Sequence, residues 1–382
     1  MNDAVIVEAV RTAVGKRKGG LSGIQPADLS AHVLKELAAR SGVDPAVVDD
    51  VVWGCVSQVG EQAGDIGRTA VLGAGWPESV AGVSVNRACG SSQQAVSFAA
   101  ASVIAGHSDV VVAGGVESMS RVPMGMSLVG QWPYGEGFRD RYGDVAPNQG
   151  AGAEMIVDRW KFSRAQLDEF SLRSHAKAAA AQDQGRFTGE IAPITNPAGS
   201  EITADEGIRR GGTMESLGAL KPAFRLENGT ITAGNSSQIS DGAAALLITT
   251  SEKAAELGLT PIARIHTSVV MGDDPVIMLT GPIPATAKAL KRSGLSIDDI
   301  GVYEVNEAFA PVPLAWLTET GADPGRLNPN GGAIALGHPL GCSGARIMTT
   351  LVHHMRAAGI RYGLQTMCEG GGQANVTILE LI

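Results

Sequence analysis

Residues 83–113, VSVNRACGSSQQAVSFAAASVIAGHSDVVVA, contain a complete strand–turn–helix–strand unit. The β-branched runs at 83–85 and 109–113 each predict a strand. Residues 90–105 are rich in alanine and serine, which predicts a slim helix that suits a crowded central layer. Strands that alternate with helices are the basis of parallel α/β layers, so this stretch predicts an α/β fold.

Short β-branched runs of the same kind continue on both sides of this unit, at 4–10, 51–53, 241–249, 300–305 and 364–368. Pro26 favours the first turn of a helix with one apolar face. The second half of the chain repeats the first in pattern, because Cys89 and His338 each precede a helix rich in small residues. Two such halves packed together bring the helix starts close, so we expect Cys89 and His338 to be neighbours.

Residues 119–240 differ in character from the flanking segments and predict an insert between two strands of the first half. One clear helix is expected there, opened by the capping box Ser163-Arg-Ala-Gln166 and ended near Gly185. The predicted domains are residues 1–118 plus 241–260, the inserted loop domain 119–240, and residues 261–382.

Composition limits the classes of partner. A net charge of −9 argues against general binding of nucleic acid or an anionic membrane surface. The sequence shows neither a secretion signal nor an apolar run that spans a bilayer, so we expect a cytoplasmic protein with no membrane partner. Four cysteines without Cys-x-x-Cys spacing indicate a reduced protein with neither a disulfide framework nor a metal site.

Cys89 is the first candidate for chemistry. A lone cysteine is usually a small buried hydrophobe, but Asn86, Arg87, Gly90 and Ser91 surround this one with polar or small groups. At a helix start a thiol feels the positive end of the helix dipole, which lowers its pKa and favours the thiolate. We therefore predict that Cys89 is a nucleophile.

Three further segments supply partners for this nucleophile. His338 lies in a glycine-rich loop and is either a base or a turn histidine. Cys368 precedes three glycines whose N–H groups suit an oxyanion site, although a strand-end cysteine is as often a core residue. Asn306 can hold a water or donate to a carbonyl, and Glu307 is either a base or, more in keeping with burial, a structural carboxylate. The combination indicates acyl transfer on thioesters.

One basic cluster stands out in this acidic chain, formed by Arg209, Arg210, Lys221 and Arg225. It is either a solvated face or a site for an anionic ligand, and its position in the insert favours the ligand. The glycine-rich run 331–337 lacks the glycine order of a dinucleotide-binding loop and the lysine of a phosphate-binding loop, so we predict neither.

The chain resembles the thiolase family from the first strand to Ile382. The matching segments are Val85-Asn-Arg-Ala-Cys89-Gly-Ser, Asn306-Glu-Ala-Phe309, Asn330-Gly-Gly-Ala-Ile-Ala-Leu-Gly-His-Pro339 and Cys368-Glu-Gly-Gly-Gly372. The resemblance implies a thiolase fold of two similar βαβαβαββ halves in five α-β-α-β-α layers with an inserted loop domain. It also implies acyl-CoA and coenzyme A as ligands, coenzyme A as co-substrate without a permanently bound cofactor, and a homodimer or homotetramer.

The resemblance further implies a role for each matching residue. It makes Cys89 the acylated nucleophile, His338 its base, and Cys368 the acid or base at the α-carbon of acetyl-CoA. A water held by Asn306 forms one oxyanion hole with His338, and the N–H groups of Cys89 and Gly370 form the other. The matching substrate-binding residues are Lys221 and Ser237 for coenzyme A, and Met278 and Phe309 for the acyl chain.

Three departures from short-chain members of the family bear on the substrate. Residues 148–150 are Asn-Gln-Gly where those members carry His-Met-Gly or Phe-Met-Gly, and residues 373–374 are Gln-Ala where many carry Met-Gly. Residues 121–147, which family members use for tetramer contacts, are shorter than usual. We therefore expect a degradative 3-ketoacyl-CoA thiolase of fatty-acid metabolism for longer or bulkier chains. The alternatives are a biosynthetic acetoacetyl-CoA thiolase and, more distantly, a non-catalytic thiolase-like lipid carrier.

Overall fold

The computed structural model describes residues 3–382, which form a large mixed sheet, a small two-stranded sheet and twelve α-helices. The strands are β1 (Val5–Arg11), β2 (Gly15–Lys16), β3 (Asp50–Gly54), β4 (Ala81–Val85), β5 (Val110–Ser118), β6 (Ile194–Thr195), β7 (Glu201–Ile202), β8 (Ser240–Thr249), β9 (Ala263–Gly272), β10 (Val302–Val305), β11 (Tyr362–Glu369) and β12 (Gln373–Leu381). The helices are α1 (Pro26–Ser41), α2 (Ile66–Gly73), α3 (Ser91–Ala105), α4 (Glu136–Tyr142), α5 (Gln149–Trp160), α6 (Arg164–Asp183), α7 (Met214–Gly218), α8 (Ser251–Glu256), α9 (Pro282–Ser293), α10 (Pro311–Thr320), α11 (Ala333–Leu336) and α12 (Ser343–Ala358).

The large sheet consists of two similar parts joined at one edge, in the order β10-β11-β12-β9-β1-β8-β5-β3-β4 with β2 beside β8. The junction between β1 and β9 is only two residue pairs long. In the first part β3 and β5 are parallel while β8 and β1 follow in antiparallel order, and β10, β11, β12 and β9 repeat this arrangement. The first half has β4 outside β3, whereas a single parallel bridge between Tyr303 and Leu327 stands at the equivalent position of the second half.

Apolar clusters define the layers. One cluster packs α1 and α2 on the outer face of the first sheet, and another packs α9 and α10 on the outer face of the second. A third lies between the sheets and is formed by α3 and α12, with side chains such as Ala99 and Met348. The resulting order is α-β-α-β-α, which is the predicted arrangement, and α3 and α12 share its middle layer.

Local signals in the sequence set several element limits correctly. Helix α1 begins at Pro26, and α6 has the predicted capping box of Ser163 and Gln166 and ends two residues before Gly185. Three further helices in residues 119–240, α4, α5 and α7, were not identified from the sequence. Helices α4 and α7 are too short to show a period, and glycines weaken the helical signal of α5.

Strand β8 follows the insert and pairs with β5 and β1, as expected for a segment that resumes the first sheet. The limits of the three domains remain a prediction. Among residues 3–382, no helix combines the length and the apolar character needed to cross a membrane.

Candidate active site

The starts of α3 and α12 touch in the middle layer. The backbone N–H of Ala345 donates to Ser92 Oγ at 2.8 Å, and both residues are buried. A Cβ at Gly344 would lie 2.2 Å from a backbone nitrogen of α3, so only glycine allows this approach. The contact brings together the two turns that precede these helices, which carry Cys89 and His338.

The turn that carries Cys89 is tightly fixed. Ala88 has a φ of 45°, in the left-handed region that non-glycine residues seldom adopt. The Gly90 N–H donates to Arg87 O at 3.0 Å, and the Ser91 N–H donates to Ala88 O at 3.1 Å. Cys89 is 3% exposed at the end of this turn. The thiol is therefore held at the start of α3 with little freedom to move.

Hydrogen-bond donors and an acidic side chain surround the Cys89 sulfur. Burial is the main reason that its pKa is raised, and the negative charge of Glu369 adds to this effect, giving a pKa of about 12. The N–H groups of Cys89 and Gly370 and the side chain of Gln149 act in the opposite direction. The prediction that the helix start lowers the pKa of Cys89 is wrong for the free protein, because the effect of burial is larger than that of the hydrogen-bond donors. Cys89 is therefore a neutral thiol at rest.

His338 is held as one tautomer. Its Nδ1 lies 2.6 Å from Ser343 Oγ, and that hydroxyl donates to Pro339 O at 2.8 Å. Because the Ser343 proton is already engaged, Nδ1–H donates to Ser343 and Nε2 keeps its lone pair. Burial and the charge of Arg346 lower the His338 pKa to about 3, so the imidazole is neutral. The arrangement leaves Nε2 unprotonated, with a lone pair that can accept a hydrogen bond or a proton.

Asn306 lies beside this nitrogen. Its Nδ2 is 3.3 Å from His338 Nε2, and its backbone N–H donates to Thr366 O at 3.0 Å, which fixes it next to β11. Oδ1 of Asn306 is buried and has no hydrogen-bond partner within the described part of the chain. An unpaired buried oxygen of this kind suits a bound water. Glu307, in contrast, accepts hydrogen bonds from Ser174, from the Asn328 side chain and from a backbone N–H, as a structural carboxylate does.

Cys368 reaches the same place from β11. It is 1% exposed, and burial together with the nearby Cys89 and Glu369 raises its pKa. The chain then turns through Gly371 and Gly372, which both have positive φ values of 82° and 70°. This turn places the Gly370 N–H at the Cys89 sulfur. Cys89, Cys368 and Gly370 therefore lie together at the start of α3. His338 and Asn306 lie together next to the start of α12, which touches the start of α3.

Three of the four predicted substrate-binding residues lie in one region. Met278 and Phe309 are buried in the same apolar cluster, and the Ser237 N–H donates to the carbonyl of the residue before Phe309 at 2.9 Å. The ring of Phe224 packs edge-to-face on Phe309 at 5.8 Å, although the sequence analysis did not single it out. Lys221 is exposed.

The predicted basic cluster is divided into separate ion pairs. Arg210 pairs with Asp183 at 2.8 Å, and Arg225 pairs with Asp158 at 2.6 Å and with Glu154 at 3.1 Å. These acidic partners neutralise two of the four cations. The cluster therefore contributes less positive charge for an anionic ligand than the sequence suggested.

Three neighbours of the predicted site residues had no role predicted from the sequence: Gln149, Ser343 and Glu369. Gln149 is half-buried, and its Nε2 lies 3.9 Å from the position of a Cβ at Gly370. The departure from the family pattern at residues 148–150 was the signal for Gln149. Ser343 and Glu369 lie within five residues of predicted site residues, but nothing in their local sequence marked them.

The fold and these groups are those of an acyltransferase. Residues 4–252 match the family model of the thiolase N-terminal domain, and residues 259–381 match that of the thiolase C-terminal domain. The chain therefore belongs to the thiolase family, and the predicted family and fold class are confirmed.

Individual relatives agree with this assignment. The chain is 49% identical to the steroid 3-ketoacyl-CoA thiolase FadA6 of Mycobacterium tuberculosis, over 100% of this chain and 94% of that protein. It is 45% identical to a 3-ketoacyl-CoA thiolase of Aliivibrio fischeri over 100% of both chains. The crystal structure of the Bacillus anthracis acetyl-CoA acetyltransferase matches with a TM-score of 0.92 at 38% identity, over 100% of this chain and 99% of that one. The protein is thus an enzyme of the thiolase type.

Proposed function

We propose that the enzyme cleaves 3-ketoacyl-CoA with coenzyme A to give acetyl-CoA and a shortened acyl-CoA, in the direction of fatty-acid degradation. The names of the relatives at 45–49% identity support this substrate class. The observation that carries the mechanism is the neutral His338 Nε2 beside Asn306, at a helix start that touches the helix start of Cys89. The reverse reaction is a Claisen condensation.

In the first half-reaction, Nε2 of His338 takes the thiol proton and the Cys89 sulfur attacks the C3 carbonyl. The N–H groups of Cys89 and Gly370 donate to the oxygen that becomes negative. The C2–C3 bond then breaks, which leaves an acyl group on Cys89 and the enolate of acetyl-CoA. Cys368 donates its thiol proton to the enolate carbon. A water on Asn306 and His338 stabilise the thioester oxygen of that enolate.

In the second half-reaction, a new coenzyme A attacks the acyl-Cys89 thioester. The same N–H groups stabilise the second tetrahedral oxyanion, and collapse releases the shortened acyl-CoA. Proton transfers through His338 and Cys368 return both groups to their neutral forms. The kinetics are therefore ping-pong. The insert at 119–240, with Lys221 and Ser237, holds coenzyme A, while Met278 and Phe309 contact the acyl chain.

Mass spectrometry after incubation with acetyl-CoA tests the nucleophile. We expect one acetyl adduct on Cys89, lost in Cys89→Ala and retained in Cys342→Ala, which removes another buried cysteine. An adduct that persists in Cys89→Ala contradicts the assignment. Complete absence of an adduct in the wild type favours the non-catalytic lipid carrier.

The second candidate function is a biosynthetic acetoacetyl-CoA thiolase, which the likeness to an acetyl-CoA acetyltransferase supports. Values of kcat/KM for acetoacetyl-CoA and for longer or bulkier 3-ketoacyl-CoA substrates separate the two. The polar Gln149 near the sulfur, in place of the usual methionine, supports the substrate preference proposed first. Turnover of the four-carbon substrate alone would refute that preference.

We also propose a cytoplasmic homodimer or homotetramer. Edge strand β4 exposes Val83, and Phe98 on the neighbouring helix α3 is 47% exposed, which suits a partner surface. Val129 and Trp132 form a second exposed apolar region in the insert. Light scattering coupled to gel filtration gives the number of subunits, and Val83→Lys tests the strand edge. A monomer in the wild type contradicts the proposal.

A further inference from the structure

Glu369 lies immediately behind the nucleophile and belongs to none of the roles assigned above. It is the last residue of β11, and its side chain is 0% exposed. A Cβ at Gly90 would lie 1.9 Å from Glu369 Oε1 and 2.6 Å from its Cδ, so the carboxyl group packs directly on the residue that follows Cys89. Both carboxyl oxygens lack a hydrogen-bond partner among residues 3–382.

Among the described residues, no group that faces this carboxyl group forms an ion pair with it. Arg87, on the turn before α3, is the cation that acts on it, but it forms no ion pair with Glu369 within the described residues, and its Nη1 donates to Gln373 at 2.9 Å. From β12 the uncharged Gln373 and Asn375 face it, and Asn375 donates to Gly90 O at 3.2 Å. The titratable groups nearby are Cys89 on the turn and Cys368 on β11 itself.

An ionised Glu369 and a Cys89 thiolate would compete for the same positive helix end. Helix α3 begins one residue after Gly90, and its dipole stabilises one negative charge there. A like charge this close disfavours the second ionisation, typically by about one to three pKa units, which is a factor of about ten to a thousand in thiolate population. Burial raises the pKa of Glu369 to about 8, offset in part by Arg87, so the group is neutral below that pH.

We propose that Glu369 is a positioning residue for the nucleophile: its neutral carboxyl group allows Cys89 to become a thiolate, and its ionisation slows acylation. The proposal rests on the proposed function, because it requires that Cys89 is acylated. The direction of this pH dependence is unusual for a thiol nucleophile. A thiol nucleophile ordinarily reacts faster as pH rises, whereas this acylation slows as pH rises through the pKa of Glu369.

Single-turnover acylation by acetyl-CoA, measured by mass spectrometry from about pH 6 to about pH 10, tests the proposal. We expect the wild-type rate to fall at least about tenfold above about pH 8. In Glu369→Gln, which retains the shape of the neutral acid, the fall is absent. Glu369→Leu removes the charge and the polar atoms together, and it gives the same flat or rising profile if the glutamine variant does not fold.

Glu304→Gln is the matched control. Glu304 is also buried, and its pKa is likewise raised to about 8, but Glu304 does not act on the Cys89 pKa. In this variant we expect the acylation rate still to fall at basic pH. A fall that persists in Glu369→Gln, or a wild-type rate that does not fall, overturns the inference. Absence of an acyl adduct at every pH would instead overturn the proposed function.

Discussion

Removal of the Ser343 hydroxyl tests the tautomer of His338. In the tautomer assigned above, Nδ1–H donates to Ser343 Oγ at 2.6 Å, and the Ser343 hydroxyl donates a hydrogen bond to Pro339 O. Ser343→Ala leaves Nδ1–H buried without an acceptor. The imidazole then either keeps this unpaired donor, at a cost in free energy, or changes tautomer so that the proton is on Nε2. A protonated Nε2 cannot accept the thiol proton of Cys89.

The size of the effect follows from the cost of an unpaired buried donor, about 1–3 kcal/mol. His338 is 4% exposed, so solvent does little to relieve that cost. Since about 1.4 kcal/mol corresponds to a factor of ten, the reactive form of His338 falls by about five- to 150-fold. We expect kcat/KM for thiolysis to fall by the same factor.

Steady-state thiolysis and single-turnover acylation measure the loss. Ser171→Ala is the matched control, since Ser171 is an equally buried helical serine whose hydroxyl also donates to the carbonyl four residues earlier, Leu167 O at 2.8 Å, and it does not contact His338. We expect a similar change in stability but a much smaller change in acylation rate. Equal acylation losses in the two variants, or less than about a threefold loss in Ser343→Ala, would refute the tautomer argument.

Two further predictions concern the insert. Asp205→Ala removes the bidentate partner of the buried Arg11, at 2.7 and 3.0 Å, but Arg11 keeps its ion pair with Glu190 at 2.6 Å. The guanidinium donors left unpaired lead us to expect about 1–3 kcal/mol less stability in urea unfolding; a loss below about 0.5 kcal/mol contradicts this. Gly150→Ala places a Cβ 2.1 Å from the ring of Phe224, which is 46% exposed and free to move. We expect a change in relative kcat/KM between acetyl and bulky acyl substrates with little change in melting temperature, and an unchanged ratio refutes a role for Phe224 at the acyl chain.

Much of the framework could be predicted because its signals are local. The strand at 51–53, the helix at 90–105 and the capping box at Ser163 depend on nearby residues alone, and each appears in the structure. The expectation that the turns of Cys89 and His338 meet came from the repeat, since equivalent elements of two halves pack on one another. The contact between α3 and α12 confirms that the helix starts are adjacent.

The electrostatics of the site could not be predicted in this way. The pKa of Cys89 depends on burial and on Glu369, which the chain brings to Gly90 only after both halves are assembled. Carboxylates are rarely buried without a partner, so a sequence gives little reason to place Glu369 inside. The position of Gln149 depends on how the insert packs, and its short helices leave a weak pattern.

The close contact between α3 and α12 at Gly344 indicates which residues of this enzyme tolerate substitution and which do not. Any larger side chain at Gly344 pushes α12 away from α3 and so shifts His338 relative to Cys89, the residues proposed as base and nucleophile. Phe224 and Gln149, in contrast, lie outside the contact between α3 and α12. Libraries that seek new acyl preferences are therefore best directed to the surroundings of Gln149 and Phe224. Residues 341–345 and the Arg11 partners Glu190 and Asp205 are best left unaltered.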